Sequence, residues 1–191
     1  LWTFFASSLT QTASTFTANA DIMGKVYFPR LVMPMASVLT GMLDLVIQLG
    51  MLIAIMIGYT ISGYNFNLDL KLLLAPVIIF QTGILGLGFG IIIASLTTKY
   101  RDLAVLVGFG VSLWMYVTPV VYTSELVPQK YLKIYMLNPM SPIIECWRNV
   151  MIGANKFYWR YWGISWFVTV VILILGIVLF SHIEKTFMDT V

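Results

Sequence analysis

The chain has 191 residues, of which 60% are hydrophobic and only 10% charged, with a net charge of +3. A soluble domain carries about a quarter charged residues, so this composition excludes an ordinary water-soluble protein and points to one solvated by lipid. The mild positive charge suits the basic loops of a membrane protein and gives no reason to expect nucleic-acid binding.

A membrane-crossing helix needs about 20 mainly apolar residues. The first candidate runs from Leu1 to about Ala18 and carries Ser7, Ser8, Thr10, Thr12, Ser14, Thr15 and Thr17. So many hydroxyls suit a helix packed on other helices or lining a polar path, not one facing lipid. The chain opens Leu1-Trp2-Thr3-Phe4-Phe5, without the charged lead-in or small-residue cleavage site of a signal peptide, so natural sequence preceding Leu1 is expected. Residues 19–30 form a charged loop in which Pro29, with Pro34 beyond it, punctuates helices.

The stretch from about Leu31 to Tyr59 is apolar and long enough to span with tilt. A polar connection with Asn65, Asn67 and Asp69 leads to the next span, Leu72 to about Leu96. Residues 97–102 make a tight charged turn, and Leu103 to about Tyr122 spans again. Residues 123–160 then carry charges, Pro128, Pro139 and Pro142, and apolar runs too short to cross, which reads as re-entrant or interfacial structure. Within it, Ser141 to Gly153 has the signals of a helix: Ser141 as cap, Pro142 in the first turn and Gly153 as stop. Trp159, Tyr161 and Trp162 mark an interface, and Tyr161 to Phe180 is the last span. The fold class is therefore all-α, a polytopic membrane bundle of five spans with short re-entrant helices before the last, in a single domain over residues 1–191. Basic residues divide five against six between the two sides, so charge alone does not orient the bundle.

The residue inventory excludes several kinds of chemistry. One His and one Cys, His182 and Cys146, leave no metal-ligand cluster and no internal disulfide. No phosphate-binding glycine loop with its Lys-Ser/Thr is present. No Ser-His-Asp set can be assembled around His182 at the end of the last span, so no catalytic residue is expected. Asp44 lies well inside the second span, where a charge costs at least about 2.5–3.5 kcal/mol, and Gln48 shares its face one turn on. This pair serves either a polar path or an internal hydrogen bond. Gly86 and Gly90 make a GxxxG among Gly83, Gly86, Gly88 and Gly90, which serves close packing within the chain or a seam between two copies. The aromatics Trp2, Phe5, Phe16, Phe109, Trp114, Tyr116 and Tyr122 recur along the spans, either as lipid contacts or as stacking faces for sugar rings. Glu145 and Arg148 are spaced to pair.

Four segments together resemble one family. Residues 19–34, with the core Lys25-Val26-Tyr27-Phe28-Pro29-Arg30, resemble the first cytoplasmic loop of the membrane subunits of bacterial polysaccharide-export ABC transporters, the O-antigen and teichoic-acid exporters. Lys99-Tyr100-Arg101-Asp102-Leu103 resembles their second loop. Thr118-Pro119-Val120-Val121-Tyr122 followed by Val127-Pro128, and Leu137-Asn138-Pro139-Met140 with Arg148 and Gly153, resemble their external re-entrant region.

The resemblance implies a six-span subunit whose amphipathic N-terminal helix and first span are absent here, in the bacterial inner membrane, with residues 19–30 and 97–102 facing the cytoplasm. It implies a homodimer with two separate ATP-binding subunits, which would bind ATP and Mg, no cofactor being held in this chain. Lys25, Val26, Tyr27, Phe28, Pro29 and Arg30 would couple to the ATPase, with Lys99, Tyr100, Arg101 and Asp102 in the second loop. Trp2, Phe5, Phe16, Trp114, Tyr116 and Tyr122, with the hydroxyls of the first span, would line the path of a lipid-linked polysaccharide, and Asp44 and Gln48 would be the intramembrane polar pair. A drug or lipid substrate on the same fold, and a scaffold that transports nothing, are the alternatives.

Overall fold

The computed structural model describes residues 1–18, 31–62, 70–97, 103–153 and 157–188, and helices account for all the regular structure among them. In chain order these are α1 (Trp2–Ala18), α2 (Val32–Ile61), a 3-10 turn (Leu70–Leu74) leading directly into α3 (Ala75–Thr97), and α4 (Leu103–Val117). A second 3-10 turn (Ser124–Leu126), α5 (Gln129–Tyr135), α6 (Met140–Ile152) and α7 (Trp159–Met188) follow. The expected spans fall on α1, α2, α3, α4 and α7. Three stretches, Val32–Ile61, Leu70–Thr97 and Trp159–His182, are long and apolar enough to cross a membrane. With 17 and 15 residues, α1 and α4 are shorter. The molecule is a helical membrane bundle.

The expected span from Leu103 to Tyr122 is cut short, because α4 ends at Val117. Two local effects stop it. Pro119 has no N–H to continue the ladder and disfavours helical backbone at the residue before it. Thr118 turns its hydroxyl back onto the Trp114 carbonyl at 3.0 Å.

The core is built around α3, which lies between α1 and α7. Glycine permits the approach. A methyl group on Gly86 would lie 2.8 Å from Ser8 Cβ, and one on Gly90 would collide with Thr12, so α1 seats directly on that face. On the opposite face a methyl on Gly88 would lie 3.1 Å from the Leu173 backbone, and one on Gly176 would lie 2.9 Å from the Gly88 carbonyl. The GxxxG therefore serves packing inside the chain. This is how helices associate in lipid, where apolar burial alone gives little drive and close van der Waals contact supplies it. Polar stitches fix the register: Thr97 Oγ1 donates to the Ala13 carbonyl at 3.1 Å, and Gln81 Nε2 donates to Ser165 Oγ at 3.0 Å.

Ser141 does not cap α6, as its sequence position suggested. Pro139 precedes the first helical residue, and Ser141 lies inside the first turn with its hydroxyl buried. Asn138 acts instead: its Oδ1 accepts from the Met140 N–H at 3.2 Å and its carbonyl accepts from the Ser141 N–H at 3.0 Å. The other two signals hold. Pro142 sits in the first turn, and Gly153 ends the helix at φ 69°, a left-handed conformation that glycine adopts without a Cβ penalty.

Candidate functional site

Two surfaces carry polar chemistry. The first runs along α1 and the neighbouring edge of α2. At 100° per residue Thr3, Ser7, Thr10, Gln11 and Ser14 share the side of α1 turned away from α3, and each is exposed or half-buried. Phe5, Ser8, Leu9 and Thr12 on its inner side are fully or almost fully buried. Several outward hydroxyls are back-bonded to their own helix: Ser7 to the Phe4 carbonyl at 3.1 Å, Thr10 to Ala6 at 2.8 Å and Ser14 to Thr10 at 3.0 Å.

Across the boundary, Thr40, Asp44 and Gln48 rise one turn apart along α2, all exposed. Two contacts fix α1 beside them: Thr3 Oγ1 donates to Gln48 Oε1 at 2.9 Å, and Thr15 and Ser37 share a hydroxyl hydrogen bond at 3.4 Å. Gln48 thus serves a helix-to-helix bond. Asp44 lies on the same polar edge and meets neither a cation nor a hydrogen-bond donor among the described residues. The result is one continuous hydroxyl, amide and carboxylate stripe on a bundle whose remaining outer faces are largely apolar, including Leu39, Leu43 and Ile47 on α2.

The expected aromatic path divides. Trp2 and Phe5 are 8% and 0% exposed, so in this conformation they offer no stacking face to a passing ring. They belong to an internal cluster with Phe89 and Trp114. Trp114 meets Phe5 at 5.3 Å and Phe89 at 5.1 Å, both edge-on, the geometry the ring quadrupoles favour. Trp2 stands 6.4 Å from Trp114. This cluster joins α1, α3 and α4. Tyr116, by contrast, is 67% exposed, and Tyr122 is half-buried with its hydroxyl donating to the Tyr116 carbonyl at 3.1 Å. Phe16 lies on α1 with its side chain outside the described residues, as are Lys25, Val26, Tyr27, Phe28, Pro29 and Arg30 of the first loop and Lys99, Tyr100, Arg101 and Asp102 of the second.

The second polar surface is the network below the turn at 118–124. Glu145 is fully buried, and Arg148 reaches its Oε1 at 3.1 Å. The same oxygen accepts from the Ser124 backbone N–H at 2.9 Å. The Arg148 guanidinium also donates to the carbonyls of Pro119 at 2.9 Å, Val120 at 3.3 Å and Tyr122 at 3.3 Å. One planar fork thereby neutralises a buried carboxylate and satisfies carbonyls of the irregular turn that follows α4. Asn138 ties the same turn from the other side: its Nδ2 donates to Thr118 Oγ1 at 3.0 Å, and its Oδ1 accepts from Trp114 Nε1 at 3.2 Å. Further in, Gln81 Oε1 accepts from Trp162 Nε1 at 2.8 Å, and Ser165 Oγ donates to the Pro139 carbonyl at 2.7 Å.

The expected Glu145–Arg148 pair forms, while Gln81, Phe89 and Ser165 emerge only in three dimensions, as do the contacts of Asn138, which the sequence singled out only through the family resemblance. For Gln81 a signal existed, an amide in the middle of an apolar span, the same oddity that singles out Asp44. Among the described residues no group of His, Cys, Asp and Glu could hold a metal ion.

The fold thus defines a polytopic helical membrane protein packed around a glycine-bearing central helix. A family model described as ABC-2 type transporter matches residues 1–152, and the chain belongs to that family. It is similar to two proteins of Klebsiella pneumoniae named O-antigen export system permease protein RfbA. One is 28% identical over 189 residues and the other 31% over 188, each match covering 98% of this chain and 71% of the relative. A protein of the same name from Myxococcus xanthus is 27% identical over 151 residues, 78% of this chain and 56% of that protein.

Proposed function

We propose that this chain is the channel-forming membrane subunit of an ABC exporter that moves a lipid-linked, O-antigen-like polysaccharide across the bacterial inner membrane. Two copies would form the path, and two ATP-binding subunits would supply ATP and Mg chemistry from the cytoplasmic side. The observation that carries this reading is the outward hydroxyl and amide face of α1, continued by Thr40, Asp44 and Gln48 on α2. In lipid the amides and carboxylate of such a face are costly, whereas beside a hydrated glycan the amides of Gln11 and Gln48 offer donors, and the hydroxyl oxygens and the carboxylate offer acceptors, to sugar hydroxyls. The names of the Klebsiella relatives support the same substrate class.

Lys25, Val26, Tyr27, Phe28, Pro29 and Arg30 would seat in a groove of the ATPase and carry nucleotide-driven closure to the helices as a rigid-body movement. Lys99, Tyr100, Arg101 and Asp102 would lie on the same side. Tyr116 and Tyr122 would contribute ring faces to the glycan, since stacking tolerates differences between sugars.

Co-purification of the full-length protein with its ATP-binding subunit, and rescue of surface polysaccharide in an export-deficient strain, test the reading. Phe28→Asp is expected to abolish both. A mutant that still bound the ATPase and drove hydrolysis normally would remove the coupling assignment. Rescue of drug or lipid export without rescue of polysaccharide would replace the substrate.

A further inference from the structure

From the stripe that joins α1 to α2 we infer that the path is wet at mid-membrane and discriminates by charge: Asp44 favours uncharged glycans and repels polyanionic ones. The inference rests on the exporter reading above and deepens it by naming the substrate class.

Asp44 is the thirteenth residue of the thirty-residue α2, near the middle of the helix and far from either end. Its neighbours one turn away on the same edge are Thr40 and Gln48, and the outward face of α1 along the stripe carries only uncharged hydroxyls and amides: Thr3, Ser7, Gln11 and Ser14. No Lys or Arg among the described residues forms an ion pair with it, so its charge faces whatever occupies the stripe. Lipid tails cannot solvate that carboxylate, whereas water and sugar hydroxyls can. The polar groups around it form hydrogen bonds without carrying charge, which matches a neutral polyol. Repeated phosphate or carboxylate groups would pass within a Debye length of a fixed negative charge, close enough for the repulsion to act through water.

The experiment uses the full-length protein with its ATP-binding subunits. Thr40→Cys is reacted with a cationic and an anionic water-soluble methanethiosulfonate, with the parent protein as blank. Both reagents are expected to reach the thiol, the cationic one about tenfold faster, and Asp44→Asn is expected to bring the two rates together. A thiol that neither reagent reaches, or a rate ratio that Asp44→Asn leaves unchanged, overturns the inference.

In a second arm the complex exports either a lipid-linked polymer of neutral hexoses or one bearing a phosphodiester in every repeat. The anionic-to-neutral export ratio is expected to rise several-fold in Asp44→Asn. Export of neither polymer by the parent overturns the glycan reading and this inference with it. Export with a ratio insensitive to Asp44→Asn overturns this inference alone.

Discussion

The interior seam of α1, α3 and α7 and the turn region at 118–153 are held together by different means. In the seam, thirteen of the twenty-three residues of α3 are buried, five of them Gly or Ala in addition to Ala75, and its glycines let the backbone lie directly against neighbouring side chains and backbone. In the turn region the chain leaves its helix, exposes carbonyls and recruits Arg148, Glu145 and Asn138 to satisfy them. The difference follows from the solvent. Lipid is as apolar as a leucine side chain, so two regular helices gain from each other mainly by fitting closely. A broken helix at membrane depth, however, must find donors inside the protein.

The largest expected effect falls on the polar network. Arg148→Ala leaves Glu145 buried without its counter-ion and leaves three carbonyls without their donor. Removing one partner of a buried pair costs about 3–5 kcal/mol. Thermal unfolding in detergent, followed by tryptophan fluorescence, should show a strongly lowered midpoint. Arg148→Lys should recover part of it, since an ammonium keeps the charge but not the fork. A wild-type midpoint for Arg148→Ala would mean that the turn is held by something other than this network.

The seam should respond next. Gly176→Ala places a methyl 2.9 Å from the Gly88 carbonyl, and Gly88→Ala places one 3.1 Å from Leu173 Cα. Overpacking of this kind costs about 1–3 kcal/mol. Gly50→Ala, inside α2, meets nothing within 4 Å and, alanine being the better helix former, should unfold at or above the parent midpoint. Equal midpoints for Gly176→Ala and Gly50→Ala would show that α7 does not press on α3 as described.

How much of this contrast was legible in the sequence depends on the range of the interaction. The glycine seam announced itself because GxxxG is a local spacing with a direct geometric meaning. The Glu145–Arg148 pair did so because i and i+3 are neighbours on any helix. The exposure of α2 did not: only Pro34, Gly41 and Leu45 of its thirty residues are buried, yet its apolar pattern resembles that of buried α3. Hydrophobicity in a membrane helix does not separate a face that meets lipid from one that meets protein. For the same reason Trp2 and Phe5 read from the sequence as lipid contacts or as path, and neither reading put them in the core. Only the contact with Phe89 and Trp114, from helices far along the chain, places them inside. Gln81 and Ser165 lie 84 residues apart, and no local spacing relates them.

The two readings of how α6 begins can be separated by the smallest effects. Asn138→Ala removes the acceptor of the Met140 N–H and the Trp114 indole N–H, together with the donor to Thr118. Loss of such a cap costs about 1–2 kcal/mol.

Ser141→Ala should behave differently, although Ser141 was the cap its sequence position suggested. Its hydroxyl is buried with no hydrogen-bond partner among the described residues. Truncation therefore removes a polar group that gains nothing from burial, and the midpoint should stay within the equivalent of about 0.5 kcal/mol of the parent or rise. If Ser141 did cap the helix, the same substitution would cost about 0.5–2 kcal/mol and match Asn138→Ala. Measuring the two side by side in one detergent asks whether the polar region is organised by the residue inside the first turn or by the one that precedes it. A loss confined to Asn138→Ala places the organising group outside the helix, where it can grip α4 and α6 together.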